Sequence, residues 1–248
     1  MTTTDRSYRE RFLTRSRTLD YLRDLEYDSA PGVVTETLYV PLGSGEIPGW
    51  EWLPPAAVRS SNGLVLLGGP TVQTAFGPPF PVDVDDGDRA SRGPHFSPFI
   101  ASLTRRRAIA FILLRLGSYA VGVADDGNLI ASKTGTRYVK GRHRAGGQSQ
   151  RRFERNREVW IARLYDQVCR TASDRIGPFE DDLDALATGG DRHVIEGFMK
   201  RCGFADRLQS RLRAIDVVVN RPGLKSLKQA VTKAWGCRIW EADPPPGE

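Results

Sequence analysis

The order of predicted elements in the middle of the chain constrains its fold more than any other feature. Three short runs of strand-forming residues are separated by turn signals, and a long amphipathic helix follows them. In order, the three strands and the helix are expected over residues 108–114, 119–123, 128–133 and 150–173. The expected buried face of the helix consists of Phe153, Val159, Trp160, Leu164 and Val168. This arrangement predicts an α/β fold in which helices cover a mixed sheet.

The segments on either side of this core predict a division into parts. Thr4 is expected to cap a first helix over 5–27, and residues 68–98, rich in Gly, Pro and Asp, are expected to form a linker or a long surface loop. Further strands are expected over 33–40, 63–67, 183–188, 215–219 and 237–241, and further helices over 99–103, 191–200 and 223–235. We therefore expect an N-terminal helix and strand extension of unknown role over 1–95, a main domain over 96–243 and a disordered tail over 244–248.

The bulk composition is that of an ordinary soluble domain. Hydrophobic residues make up 40 % of the 248 residues and charged residues 27 %. The sequence has no apolar run of about 18 residues and no apolar segment behind its first residues, so neither a membrane helix nor a secretory signal is expected. The three cysteines (Cys169, Cys202 and Cys237) are far apart and lack zinc-site spacing. They are expected to be free thiols in a reducing cytoplasm, and no metal site is expected.

Positive charge is concentrated between residues 137 and 157. This stretch contains eight Lys or Arg residues and one Glu, a net charge of +7, whereas the whole chain carries +6. The rest of the chain therefore has a slight negative charge. A field concentrated in one stretch indicates a polyanionic partner, and RNA is the expected one. The centre of the stretch is Gly146-Gly147-Gln148, a flexible dipeptide followed by an amide.

The residues around this centre resemble a known family. The pattern is similar to the catalytic segment of the archaeal and eukaryotic class I peptide-chain release factors. It comprises Gly146, Gly147, Gln148, Ser149, Arg152, Phe153, Arg155 and Arg157. No segment matches a codon-reading domain, and residues 117–157 resemble the actinobacterial-type branch of the Vms-like release factors, the peptidyl-tRNA hydrolases of ribosome quality control. The resemblance covers roughly residues 100–248 and implies an RNase H-like fold of the release-factor central-domain type.

The resemblance also implies a function and a site. The expected activity is cleavage of the ester between a nascent peptide and tRNA on stalled or split ribosomes, without a codon and without a cofactor. The implied partners are the large ribosomal subunit, peptidyl-tRNA and ribosomal RNA, and no membrane is involved. The implied catalytic residues are Gly146, Gly147 and Gln148. The implied RNA contacts are Lys140, Arg142, His143, Arg144, Arg151, Arg152, Arg155 and Arg157.

Two alternatives for the active amide remain open. The Vms-like group places its active glutamine in a Gly-x-x-Gln arrangement, and Gly147 with Gln150 satisfies that pattern. Gln148 satisfies the Gly-Gly-Gln pattern. In either case, glycine permits a close backbone approach to RNA, and a neighbouring amide can orient water or stabilise a developing oxyanion.

Two other functions compete with ester hydrolysis. The first is a non-catalytic ribosome- or RNA-binding module that uses the same basic loop. The second is a nuclease, which needs clustered carboxylates that bind two metal ions. The acids at the ends of the predicted strands (Asp125, Asp126, Asp184 and Asp216) are not expected to converge on such a site.

Overall fold

The computed structural model describes residues 7–28, 32–137, 148–214 and 219–242. The chain divides into two compact units. The first consists of Met1–Arg105 together with Trp235–Glu248, and the second of Arg106–Ala234. Along the sequence the first unit gives way to the second after Arg105, whereas the main domain was expected from residue 96, and the last strand belongs to the first unit. The predicted tail over 244–248 lies outside the described residues.

The first unit is built on a six-stranded antiparallel sheet with the order β1-β11-β4-β3-β2-β5. Its strands are β1 (Tyr8–Leu13), β2 (Glu36–Val40), β3 (Leu64–Gly68), β4 (Gln73–Gly77), β5 (Ala90–Arg92) and β11 (Cys237–Ala242). Its helices are α1 (Arg15–Arg23), α2 (Pro55–Val58) and α3 (Ser97–Thr104). The two ends of the chain thus pair directly, because β1 and β11 are neighbours.

The predicted helix over 5–27 is wrong in its first half. Residues 8–13 form β1, and the helix begins after Thr14, whose side-chain oxygen accepts a hydrogen bond from the Arg17 amide at 3.5 Å. A π-helical turn over Asp24–Asp28 follows α1. The helical spacing of apolar residues was misleading because β1 is stabilised by pairing with β11, about 230 positions away, which no local pattern reveals.

The predicted loop over 68–98 is also wrong in part. Strand β4 lies within the sheet between β3 and β11, and residues 74–76 are buried. Strand β5 forms the sheet edge beside β2. The prolines at 78 and 79 follow β4 directly and do not interrupt it. Alternate residues of β3 contribute to different cores: Val65 and Leu67 pack on one face of the sheet, and Leu64 and Leu66 on the other.

The second unit is built on a mixed five-stranded sheet with the order β10-β9-β6-β7-β8. Its strands are β6 (Ala108–Arg115), β7 (Ser118–Asp125), β8 (Asn128–Thr136), β9 (Leu183–Gly190) and β10 (Leu212–Ala214). Its helices are α4 (Gln148–Ile176), α5 (Arg192–Arg201), α6 (Gly203–Arg207) and α7 (Leu224–Ala234), with 3₁₀ turns at Gly177–Asp182 and Gln209–Arg211.

The strand pairing of the second unit confirms the predicted α/β fold class. Strands β6, β7 and β8 form the expected antiparallel meander, while β9 and β10 run parallel to β6. The long helix predicted over 150–173 is α4. For the strand predicted over 215–219, residues 215–218 lie outside the described residues, and β10 is placed three residues earlier.

Helix α4 packs on the sheet through its C-terminal half. Leu164, Val168, Ala172 and Ile176, spaced four apart, are fully buried against β-strand residues such as Val121. Val159, predicted to belong to this buried face, is 46 % exposed. That part of the prediction is wrong for Val159, whereas Trp160 is half-buried and the side chain of Phe153 lies outside the described residues.

Two of the three cysteines form a disulfide, which corrects the expectation of three free thiols. Cys169 on α4 is bonded to Cys202 at the junction of α5 and α6, with their Cα atoms 5.4 Å apart. Cys237 is free and buried. The pair is separated by 33 positions in sequence. It forms because α5 packs beside α4, so no local spacing motif predicts it.

Candidate functional site

The N-terminal half of α4 precedes the buried stripe that starts at Leu164. From residue 155 onward, Leu164 is the first fully buried residue of the helix, and the side chains of residues 155–163 are exposed or half-buried. Gln148 therefore lies roughly 24 Å along the helix from Leu164, at 1.5 Å per residue.

The predicted catalytic residues lie at the start of this helix. Gln148 and Gln150 are the first and third residues of α4. Gly146 and Gly147 lie just outside the described residues, as do the predicted RNA contacts Lys140, Arg142, His143 and Arg144. Arg151 and Arg152 lie in the first turns of α4, where the structure describes the backbone only. The catalytic and RNA-binding assignments thus stay predictions.

One face of α4 carries exposed arginines along most of the helix. Arg155, Arg163 and Arg170 are exposed, and at 100° per residue their positions fall within about 80° around the axis. Asp166, which lies between these arginines, is engaged by Arg201. The row extends roughly 22 Å along the helix. Arg163 and Arg170 are not among the RNA contacts predicted from the sequence, although Arg163 lies eight positions after Arg155 and Arg170 seven positions after Arg163, which is helical spacing.

Arg157 differs from these exposed arginines. Its side chain is half-buried, and its Nε atom is enclosed without a hydrogen-bond partner among the described residues. Burial raises the pKa of Tyr165, the negative charge of Asp191 raises it further, and the positive charge of Arg157 opposes both. The role of Arg157 as an RNA contact stays a prediction.

Helix α5 holds α4 at the point where its buried half begins. The guanidinium of Arg201 donates two hydrogen bonds to Asp166, at 2.8 and 3.1 Å, and this contact lowers the pKa of the carboxyl. Tyr165 lies against Gly197, where an added Cβ would be 2.7 Å from the tyrosine oxygen. One turn further along is the disulfide of Cys169. Three contacts in little more than one turn fix this part of α4.

Strands β7 and β8 hold α4 on another side. The guanidinium Nη1 of Arg137 donates to the side-chain oxygen of Gln167 at 2.9 Å, and the Gln167 amide donates to the hydroxyl of Tyr119 at 3.1 Å. The Tyr119 hydroxyl is also 3.4 Å from the hydroxyl of Thr171. Arg137 is the last described residue before the segment 138–147.

The acids considered for a nuclease site have other partners. Arg106 donates two hydrogen bonds to Asp125, which lower the pKa of that carboxyl. Asp184 accepts a hydrogen bond from the Ala108 amide at 2.8 Å. Asp216 lies outside the described residues. Over the described ranges, no three His, Cys, Asp or Glu side chains are grouped so that they could hold a metal ion.

Comparison with known protein families identifies the chain. The model of the Actinobacteria/chloroflexi VLRF1 release factor family matches residues 107–240, which is more than half of the chain and includes α4 and the second sheet. The chain belongs to this release-factor family. The resemblance to the actinobacterial-type branch of the Vms-like release factors, inferred from residues 117–157, is thereby confirmed. Among the described residues of this VLRF1 family member, no helix is long and apolar enough to cross a membrane.

Curated relatives of this VLRF1 family member are archaeal proteins. It is 30 % identical over 145 residues to "Peptide chain release factor subunit 1" of Archaeoglobus fulgidus, covering 55 % of this chain and 35 % of that protein. It is 29 % identical over 182 residues to the protein of the same name from Aeropyrum pernix, covering 70 % of this chain and 48 % of that protein. The chain thus spans between about a third and a half of the length of these relatives.

Solved structures with partial similarity also include translation factors. The archaeal translation termination factor aRF1 is 20 % identical, with a TM-score of 0.40, over 89 % of this chain and 69 % of that one. The "Vms1 mitochondrial localization core" is 15 % identical, with a TM-score of 0.42, over 71 % of this chain and 75 % of that one.

Proposed function

We propose that this VLRF1 family member is a codon-independent release factor that hydrolyses peptidyl-tRNA on stalled or split ribosomes in the cytoplasm. The observation that carries the proposal is the position of the Gly-Gly-Gln-Ser sequence in a release-factor family member. It coincides with the start of α4, roughly 24 Å along the helix from Leu164, where the buried stripe begins. The partners would be the large ribosomal subunit, its RNA and peptidyl-tRNA.

The reaction needs positioning more than it needs strong acid–base chemistry. Water adds to the carbonyl carbon of the ester, the carbon–oxygen bond to the ribose breaks, and the ribose oxygen takes a proton. A glutamine amide can accept a hydrogen bond from the water and donate one to the developing oxyanion. Gly146 and Gly147 would allow the backbone to approach the RNA closely. Placing one water correctly accounts for much of the rate in such a mechanism.

Gln148 and Gln150 are not equivalent candidates for this role. As the first and third residues of α4, their backbone positions lie about 200° apart around the helix axis. We therefore propose that only one of them serves the reacting water. The pattern of arginines after the motif favours Gln148, while the Gly-x-x-Gln arrangement favours Gln150.

The basic residues would bind RNA phosphates without reading sequence. The exposed row of Arg155, Arg163 and Arg170 supports this role, because it continues the charge of the 137–157 segment toward the sheet. The predicted contacts Lys140, Arg142, Arg144, Arg151 and Arg152, with His143, would complete the surface near the motif. Together they would hold the helix so that its first residues reach the ester.

The proposal is tested by peptide release from purified ribosomal complexes that hold labelled peptidyl-tRNA and no stop codon. We expect Gln148→Ala or Gln150→Ala, but not both, to lower the release rate by at least about 100-fold while binding to the large subunit persists. Gln229→Ala, an exposed glutamine on α7, is the matched control and should behave as wild type. Full release by both motif variants would contradict the proposed catalytic role.

The second candidate function is a non-catalytic ribosome- or RNA-binding module. The exposed arginine row on α4 favours it, since that surface would serve binding whether or not an ester is cleaved. This function predicts tight, salt-sensitive binding to the large subunit and no peptide release by the wild-type protein.

A further inference from the structure

The end of β8 is fixed to α4 through the side chain of Arg137. The Arg137 amide donates to the carbonyl of Gly117 at 3.0 Å, which ties the residue to the start of β7. Its guanidinium donates to the side-chain oxygen of Gln167 at 2.9 Å. Arg137 therefore contacts both the sheet and the helix, immediately before the segment 138–147.

Both ends of the Gln167 amide group are used. Its oxygen accepts from Arg137, and its nitrogen donates to the Tyr119 hydroxyl at 3.1 Å. Thr171 adds a third connection, because its hydroxyl lies 3.4 Å from that of Tyr119 and donates to the backbone carbonyl of Gln167 at 2.9 Å. The network joins β7, β8 and α4 through four polar side chains.

The position of Tyr119 is fixed by close packing. Its side chain is 2 % exposed. Gly135 of β8 lies against the ring, where an added Cβ would be 2.5 Å from the phenol oxygen. Tyr119 therefore cannot move aside without disturbing β8, and its hydroxyl is a fixed point for Gln167.

This network has a particular place relative to the motif. Helix α4 starts at Gln148, directly after the segment 138–147, and Gln167 lies roughly 28 Å further along the same helix. The ten residues of the segment thus have both ends attached to α4. One end continues into the helix at Gln148, and the other follows Arg137, which is hydrogen-bonded to Gln167 of the helix. Fixing both ends lowers the number of positions available to a connecting chain.

We infer that Gln167 and Tyr119 are positioning residues for the Gly-Gly-Gln segment. They act through Arg137, which they hold against α4, and do not touch the substrate. The inference rests on the proposed release activity. It separates Arg137 from the other basic residues of the 137–157 stretch, because its guanidinium is engaged by the protein itself.

The test compares variants of the network with a control in the same turn of α4. Gln167→Leu removes both hydrogen bonds, and Tyr119→Phe removes the hydroxyl while keeping the packed ring. Gln167→Glu keeps an acceptor for Arg137. Asp166→Asn is the control, because it weakens the contact between α4 and Arg201 of α5 without touching the network. Each variant is assayed for single-turnover peptide release over a range of ribosomal complex concentrations.

We expect Gln167→Leu to lower the release rate at saturation by about tenfold, because misplacing a reacting group costs rate rather than affinity. The half-saturating concentration should stay within about twofold of wild type, since the arginine row is unchanged. Tyr119→Phe should show a smaller loss of the same kind. Gln167→Glu and Asp166→Asn should retain most of the wild-type rate.

A second measurement is independent of activity. Hydrogen exchange of the Arg137 amide, which is bonded to Gly117, should be faster in Gln167→Leu than in wild type and unchanged in Asp166→Asn. The positioning role is overturned if the Arg137 amide of Gln167→Leu exchanges as slowly as in wild type, or if Gln167→Leu releases peptide as fast as Asp166→Asn. In either case, release by the wild-type protein still supports the proposed function. No release by the wild-type protein overturns the proposed function and the positioning role with it.

Discussion

At the scale of single residues, the environment of each cysteine decides its chemistry. Cys237 is buried in the core of the first unit, and burial raises the pKa of its thiol from 9.0 to about 12, with a hydrogen bond to Thr18 opposing the shift. Cys169 is half-exposed and Cys202 is 1 % exposed, and the two are bonded to each other. Local sequence does not distinguish the three cysteines, yet Cys237 is an inert thiol, whereas Cys169 and Cys202 form a covalent link between helices.

The inertness of Cys237 gives a first prediction. With the disulfide intact at pH 8, the folded protein should not react with an aromatic disulfide reagent, because thiolate is the nucleophile and this thiol stays protonated and enclosed. After unfolding in denaturant without reductant, one thiol per chain should react. Rapid labelling of the folded protein would contradict the buried position of Cys237, and Cys237→Ala serves as the control without a free thiol.

The same group makes stability depend on pH in a defined direction. The folded state holds the Cys237 proton more tightly than the unfolded chain does. Its stabilising effect is therefore complete below the ordinary thiol pKa of 9.0 and is lost as the pH rises toward about 12. Denaturant titrations at pH values between these limits should show that the free energy of unfolding falls more steeply with rising pH in wild type than in Cys237→Ala.

At the scale of elements, α4 combines two halves with different functions. Its C-terminal half is anchored by a stripe of four buried residues, by α5 and by the hydrogen-bond network of Gln167. Its N-terminal half begins with the last residues of the Gly-Gly-Gln-Ser motif, Gln148 and Ser149, and carries the exposed Arg155. A helix that is rigidly held at one end can place the residues at its other end with little positional freedom, which is what a positioning mechanism requires.

The disulfide between α4 and Cys202 should contribute measurably to stability. For a link that closes 33 residues, the chain-entropy estimate is about 3–4 kcal/mol. Reduction, or the Cys169→Ser and Cys202→Ser double variant, should lower the free energy of unfolding by an amount of that order. The untreated chain should also be 2 Da lighter than the reduced chain by mass spectrometry, because forming the bond removes two hydrogens. Equal masses and equal stability would contradict the bond.

The arginine row on α4 predicts a specific salt dependence. Replacing Arg163 and Arg170 with Gln should weaken binding to the large subunit and reduce the slope of log affinity against log salt by about 1.5, since each phosphate contact contributes about 0.7–0.9. Arg175→Gln is the control, because this exposed arginine lies on the same helix about 140° from Arg170. If the double variant showed the same slope of log affinity against log salt as Arg175→Gln, the arginine row would not be part of the RNA-binding surface.

At the scale of the whole molecule, the two ends of the chain build one unit and the middle builds the other. Strand β11 lies between β1 and β4 in the first sheet, so the last described residues complete a sheet that begins near residue 8. The second unit is continuous in sequence from Arg106 to Ala234. The family match over residues 107–240 covers the second unit and reaches into β11.

This topology predicts that the C-terminal strand is essential for the first unit. Deleting residues 237–248 removes an interior strand and leaves β1 and β4 with unpaired edges. We expect loss of the folded first unit, seen as a red shift in the emission of Trp50 and Trp52, which are buried beside this sheet. Deletion of residues 243–248 alone should have no such effect. An unshifted spectrum in the longer deletion would contradict the assigned pairing.

Sequence patterns were reliable where elements depend on local residues. The meander of β6, β7 and β8, the long helix and the later strand–helix pairs follow from hydrophobic periodicity and turn signals that act over a few residues. The concentration of positive charge, the Gly-Gly-Gln-Ser motif and the family were also evident without coordinates, because they depend on residue identity alone. The Arg163 and Arg170 positions could have been added from their helical spacing to Arg155.

The tertiary structure decided the features that join distant parts of the chain. Strand β1 exists because β11 pairs with it, β4 is a strand because β3 and β11 flank it, and Cys169 meets Cys202 because α5 packs beside α4. The contact of Arg137 with Gln167 likewise depends on where β8 ends relative to α4. Such contacts arise from packing between elements, which contributes no periodic or motif signal to the sequence. The candidate functional segment was therefore identified from the sequence, and the contacts of the residues on either side of it were decided by the fold.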